Sequence, residues 1–208
     1  MMPEKNPYIV FTKHTPYIVM DVDTIIDENH QKLKASSVVA LCRCGKSSAQ
    51  PYCDDIHAVD GLREEKSKDR APDHLKDYIG DDITVHFNLG VCCHDGCCVE
   101  KLPQVFDINK KPWIQPNNGK IKDIINIVEG CPSGALSYSI GSRRYQDLDR
   151  PPSIHIQKDG PIEIKGFIKL KDDENTVPAC KEHYTLCRCS SSKNKPFCDG
   201  AHLDGNFE

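Results

Sequence analysis

The stretch CRCGKSSAQPYCDDIH, residues 42–57, returns as CRCSSSKNKPFCDGAH at residues 187–202. Both copies read Cys-x-Cys-x8-Cys-x3-His. The alignment runs without a gap from Pro16 to Leu62 against Pro161 to Phe207, at an offset of 145. Leu41, Ser47, Pro51, Cys53, Asp54 and His57 fall on Leu186, Ser192, Pro196, Cys198, Asp199 and His202. Self-similarity of this kind marks one supersecondary unit used twice. Upstream of each cysteine group lies a strand-like run, YIVMDVDTII (17–26) and IEIKGFIKL (162–170), followed by a polar turn region. Each repeat therefore reads strand, turn, strand, metal loop. The expected fold class is α+β, made of small β-rich domains stabilised by metal.

The spacing carries chemistry. Thiols two residues apart on an extended segment point to the same side, so Cys42 with Cys44, and Cys187 with Cys189, can share one iron. Cys53 and His57, like Cys198 and His202, stand four apart. A helical turn would put both on one face toward a second iron and aim its free N–H groups at an anionic cluster. Ser47 and Ser192 are candidate loop hydrogen bonders, and Pro51 and Pro196 would stiffen the approach to the third cysteine. A single tetrahedral zinc is the competing occupant, but structural zinc sites usually draw their first pair from Cys-x2-4-Cys. A mere set of buried thiols would not need His at the same offset twice.

Bulk properties agree with small metal-held units. Of 208 residues 38% are hydrophobic, low for one large core, and the 12 cysteines fall in tight groups rather than as spread pairs. The beginning MMPEKNPYIVF has no apolar core or cleavage site of a secretory signal, so a reducing, cytoplasmic location is the default expectation. No apolar run approaches the roughly 20 residues that span a bilayer, which argues against a membrane protein. A net charge of −4 with interspersed signs leaves no basic stripe for a phosphate backbone, so nucleic acid is not an expected partner.

At these residues the sequence resembles the CDGSH iron-sulfur family, to which the mitoNEET proteins belong. The resemblance implies that Cys42, Cys44, Cys53 and His57 hold one 2Fe-2S cluster and Cys187, Cys189, Cys198 and His202 a second. The second copy keeps the family's Cys-Asp-Gly-Ser/Ala-His ending. The first departs from it, with Asp55 where glycine is usual and Ile56 at the small-residue position. Family members pair two motif copies about a two-fold axis, as homodimers or as tandem copies. The expectation here is a pseudo-two-fold unit formed by both ends of the chain, 1–70 and 146–208, with a homodimer as the other arrangement. Linkers are expected at Gly61–Arg70 and Ser142–Pro152.

Between them, residues 71–145 carry GVCCHDGCCVEKLPQVFD and, further on, EGCPSGALSYS. Cys92, Cys98 and Cys131 followed by Pro132 resemble a single-cluster ferredoxin, with Asp95 in the place of the second cysteine of the Cys-x2-Cys-x2-Cys run. Three cysteines suffice for a 3Fe-4S cluster, whereas 4Fe-4S would need Asp95, Cys93 or Cys97, or an outside ligand. A strand near Ile83–Phe87, a short helix near Val99, a helix near Lys120–Val128 and a strand near Ala135–Ile140 suit a half-ferredoxin, resembling the divergent mono-cluster ferredoxin domains. A cysteine-rich loop that binds nothing, or zinc, is the alternative. Cys93, Cys97 and Cys180 receive no role, and Trp113 and Tyr138 are expected to pack.

No nucleotide fingerprint, nucleophile elbow or catalytic carboxylate pair is present, so an enzyme is not expected. His14, His30, His74, His86, His94, His155 and His183 are assigned no catalytic role. The expected function is one-electron transfer with a reductase or other redox protein. The alternative is cluster transfer to an apo-acceptor, or redox or pH sensing.

Overall fold

The computed structural model describes residues 6–34, 36–60, 65–204 and 207. Residues 61–64 of the first expected linker lie outside that set. The first end supplies β1 (Tyr8–Val10), β2 (Tyr17–Met20), β3 (Ile25–Ile26), β4 (Val38–Leu41) and the single turn α1 (His57–Asp60). The middle supplies β5 (Leu75–Ile79), β6 (Thr84–Asn88), α2 (Cys97–Lys101), α3 (Ile121–Glu129), β7 (Leu136–Ile140) and β8 (Arg143–Tyr145). The second end supplies β9 (Ser153–Ile156), β10 (Ile162–Lys165), β11 (Lys169–Lys171) and β12 (His183–Leu186).

The expected continuous strands at 17–26 and 162–170 are each broken in two. Asp21 in the first, and Gly166 with Phe167 in the second, take positive φ, a left-handed turn that ends the pleat. The break has a large consequence. β3 leaves its own sheet and pairs parallel to β9, while β11 pairs parallel to β1, giving two four-stranded sheets ordered β11-β1-β2-β4 and β12-β10-β9-β3. Each end lends one strand to the sheet of the other. Alternating residues such as Tyr17 and Val19 on β2, and Ile154 and Ile156 on β9, then point inward. They meet in one apolar core drawn from both ends, which includes Ile9, Leu41, Ile164, Tyr184 and Phe197.

The middle segment has a separate core. Antiparallel β5-β6-β7-β8 is covered by α3, whose Ile124 and Val128 lie one turn apart on the buried face. Trp113 packs edge-on against Phe87 and Tyr78, and Tyr138 stacks on Tyr145. No helix of the described residues is long and apolar enough to cross a membrane.

Candidate metal centres

β4 and β12 each run into a Cys-x-Cys segment, which is tied back by Cys42 N–H to Pro51 O and Cys187 N–H to Pro196 O, both 2.8 Å. Ser47 Oγ donates to Tyr52 O at 2.6 Å and accepts from Ala49 N, and Ser192 does the same with Phe197 O at 2.7 Å and Asn194 N. These serines close the eight-residue loop so that the third cysteine returns to the first two.

The resulting donor sets match. Cys42 Sγ and Cys44 Sγ are 3.6 Å apart, as are Cys187 Sγ and Cys189 Sγ. Cys53 Sγ lies 3.3 Å from His57 Nδ1, and Cys198 Sγ 3.4 Å from His202 Nδ1. Two sulfur ligands of one tetrahedral metal, at about 2.3 Å each, stand about 3.8 Å apart, and a sulfur–nitrogen pair slightly less. The chain thus offers two ligand pairs per site, as a two-iron cluster requires.

The third cysteine and its histidine are arranged differently from the expected helical turn. No helical turn joins the third cysteine to its histidine. α1 begins only at His57, and the second copy has no helix at this point. Instead the loop closes on a left-handed residue, Gly200 at φ 86° and Asp55 at φ 66°. Glycine takes this conformation freely, and Asp is among the few other residues that tolerate it, so the first loop keeps its shape without the usual glycine. The amide of Asp55 reaches Cys53 Sγ at 3.4 Å, a thiolate-stabilising contact that owes nothing to a helix.

The thiols resist ionising alone. Burial pushes Cys44, Cys53 and Cys198 up, and neighbouring cysteines add to the rise. In the tight pair Cys187–Cys189, the contact between the two sulfurs lowers Cys187, with Lys195 assisting, and raises Cys189. A crowd of thiols of this kind loses its protons together to a cation.

Two features distinguish the sites. Gln50 Nε2 lies 3.5 Å from Cys42 Sγ, whereas at the equivalent position Lys195 Nζ lies 3.8 Å from Cys187 Sγ. The first loop is open, with Cys53 partly exposed and Asp54 and Asp55 exposed; in the second, Cys198 and Gly200 are buried.

The cover over the second loop comes from the middle segment. A Cβ on Gly200 would stand 2.6 Å from His94 Cδ2, so only glycine allows His94 to lie on this backbone. Asn194 Nδ2 donates to Gly90 O at 2.6 Å. Burial pushes the Cys93 thiol well up, and Cys198 of the second site adds to the rise together with Cys131 and Cys92.

Cys92, Cys98 and Cys131 converge at this junction. Cys92 is pushed up to about 12 by burial and then by Cys131 and Cys98, and Cys98 to about 11 by burial and then Cys131. Asp95 adds its field to both thiols, and its Oδ1 accepts from Cys97 N at 3.2 Å. Cys97 points to Asp95, and burial raises its pKa.

The first and second sites also touch. Gln50 Oε1 accepts from Arg188 Nη1 at 3.2 Å, and a Cβ on Gly45 would lie 3.4 Å from Cys189 Cα. Sequence reading missed Gln50, Lys195, His94 and the neighbourhood of His183, because spacing does not reveal which loop residue turns back to a thiol. The repeat did hold one signal, the unlike residues Gln50 and Lys195 at one aligned position.

Comparison with known proteins places two family models on the same segments. The family model described as "Iron-binding zinc finger CDGSH type" matches residues 6–58 and 159–203, and "Divergent 4Fe-4S mono-cluster" matches residues 78–141. The chain is 39% identical over 61 residues to an uncharacterized protein, YjdI, of Escherichia coli strain K12, covering 29% of this chain and 80% of that protein. It is 29% identical over 92 residues to mouse CDGSH iron-sulfur domain-containing protein 1, covering 43% of this chain and 78% of the mouse protein. No solved structure matches.

Proposed function

Because the chain belongs to the CDGSH iron-sulfur family, with a divergent mono-cluster segment between its two CDGSH regions, we propose that it is a one-electron carrier whose three clusters form one internal series. Cys92, Cys98 and Cys131 hold the central cluster, 4Fe-4S with Asp95 as its fourth ligand or 3Fe-4S without it. Cys187, Cys189, Cys198 and His202 hold the middle 2Fe-2S member, and Cys42, Cys44, Cys53 and His57 the outer one. The bound clusters supply reversible one-electron storage. The chain fixes their order, covers the Cys198–Gly200 loop of the middle one and leaves the Cys53–Asp55 loop of the outer one open to a redox partner. The division is into residues 1–70, 71–145 and 146–208, with the two ends forming a pseudo-two-fold unit within one chain. Reciprocal exchange of β3 and β11 supports that pairing over a homodimer.

The observation that carries the series is continuity of contact. His94 lies on Gly200, and Gln50 spans from Cys42 to Arg188 between the second pair of cysteines. The test is EPR on the fully reduced protein. The account expects spin–spin interaction between the central and second clusters, removed by Cys98→Ser, while the first cluster's own signal persists. Additive spectra of isolated centres, unchanged by Cys98→Ser, would contradict the series.

A second reading, release of the first cluster to an apo-acceptor, is favoured by the open Cys53–His57 loop. Oxidation-dependent appearance of the cluster on an apo-ferredoxin, without electron uptake by the intact protein, would favour it.

A further inference from the structure

Outside the three ligand sets, Cys180, Glu182 and His183 bring a thiol, a carboxylate and an imidazole within 4.8 Å of one another, all buried. Their exposures are 1%, 0% and 2%. Cys180 Sγ stands 3.2 Å from His183 Nδ1, close to the sulfur–nitrogen separation of the two Cys–His cluster pairs. The thiol accepts the backbone N–H of His183 at 3.4 Å, just as Cys53 accepts that of Asp55. From the segment leaving the central domain, Asp147 Oδ1 approaches the same sulfur at 3.6 Å.

Glu182 Oε2 is 2.7 Å from His183 Nδ1 and accepts from Arg150 Nη2 at 2.5 Å, while Oε1 accepts from Arg150 Nε at 2.9 Å and Gly166 N at 3.1 Å. A ligating carboxylate is commonly fixed by hydrogen bonds in this way. Among the described residues His183 Nε2 has no partner, and the ring's polar contacts there lie on the Nδ1 edge. Thiolate and two carboxylates sum to three negative charges, which a divalent ion and the Arg150 guanidinium neutralise together. Without a cation, the single Nδ1 proton must serve Glu182 while the thiol keeps its own proton toward Asp147. Burial holds that thiol up to about 12, so only an ion bound to it would ionise it near neutrality.

We propose that Cys180, His183 Nδ1, Asp147 and Glu182 form a mononuclear site for a divalent metal of the zinc class. Thiolate, imidazole and carboxylate together are zinc's ligand set in tetrahedral sites. On binding, the Cys180 S–H proton leaves to solvent and the imidazole proton moves from Nδ1 to Nε2. The site is not a third copy of the repeated motif, because at the repeat offset the first end has Ala35 and Val38 in place of Cys180 and His183. It sits at the domain junction. A Cβ on Gly134, three residues after Cys131, would stand 2.5 Å from Cys180 Cβ and 2.9 Å from His183 O. The metal pins the exit of the central domain to β12, the strand that leads into Cys187.

The test is metal analysis of the full-length protein after anaerobic purification and incubation with zinc, with iron and sulfide counted in the same samples. About one tightly held zinc per chain is expected in addition to iron. Cys180→Ser and His183→Ala should lose it while iron and sulfide stay unchanged, and Asp147→Asn should weaken it about tenfold or more. Cobalt added to zinc-depleted protein should give the visible bands of a tetrahedral thiolate site. If a variant does not fold, competition of the unaltered protein with a chromophoric chelator replaces it, and micromolar or weaker zinc binding there overturns the proposal. Iron and sulfide without zinc overturns it and leaves the cluster assignment intact. Zinc that persists in Cys180→Ser overturns it by placing the ion in a cluster site, and zinc replacing iron counts against the proposed function instead.

Discussion

At the scale of single residues, the aligned pair Gln50 and Lys195 separates two otherwise equivalent sites. A buried ammonium 3.8 Å from Cys187 Sγ stabilises the more negative, reduced state of whatever the thiolate binds; a neutral amide does so less. Lys195→Gln should lower the second cluster's potential by about 60 mV, a tenfold change for one electron, and Gln50→Lys should raise the first. Redox titration followed by EPR checks this, and equal potentials in all variants would contradict it. The histidines set a pH response. Only neutral imidazole ligates, and burial lowers the pKa of His202, so its protonation and the accompanying cluster loss move to lower pH than for an exposed imidazole. Loss should accelerate as pH falls through the acid range and slow in His57→Cys and His202→Cys, followed by visible absorption. Ligand types and spacing were legible in the repeat. The inward turn of Gln50 and Lys195 was not, because it depends on how Ser47 and Ser192 close their loops, and His183 gave no signal until Cys180 and Asp147 were brought beside it.

At the scale of elements, the strand runs at both ends were legible from their apolar content, but their breaks were not. Asp21 and Gly166 are single turn formers inside apolar runs, too little alone to end a strand, and only the partner end explains why the chain leaves its sheet there. β5 escaped notice because only Tyr78 of its five residues is buried and its charged residues face water. The shared core predicts that the two ends unfold together. Ile164→Ala on β10, fully buried in that core, should cost about 2–5 kcal/mol and release both 2Fe-2S sites at once. Denaturation followed by absorption and circular dichroism tests this, and loss of the second site alone would count against a common core. Gly200→Ala forces a side chain onto left-handed backbone against His94 and should cost more than about 1 kcal/mol, read as a lower Tm. An unchanged Tm would show that the junction is looser than drawn.

At the scale of the whole molecule, the middle segment covers the second site, with His94 on Gly200 and Gly90 O held by Asn194. The repeat made the pairing of the ends legible, but nothing in the order of segments told which end the insertion would cover. That choice covers the Cys198–Gly200 loop and leaves the Cys53–Asp55 loop open, so a chelator should strip a cluster at Cys42, Cys44, Cys53 and His57 before one at Cys187, Cys189, Cys198 and His202. EPR during chelation distinguishes the order, with simultaneous loss as the contrary result. The central claim is that one chain carries three iron-sulfur clusters, and iron and acid-labile sulfide counted on anaerobically purified protein, with EPR of the same sample, test it most directly. The account predicts about seven or eight iron with matching sulfide and signals from both 2Fe-2S and a larger cluster. About four iron with 2Fe-2S signals alone would contradict the central cluster, and zinc in place of iron with no sulfide would contradict the account as a whole.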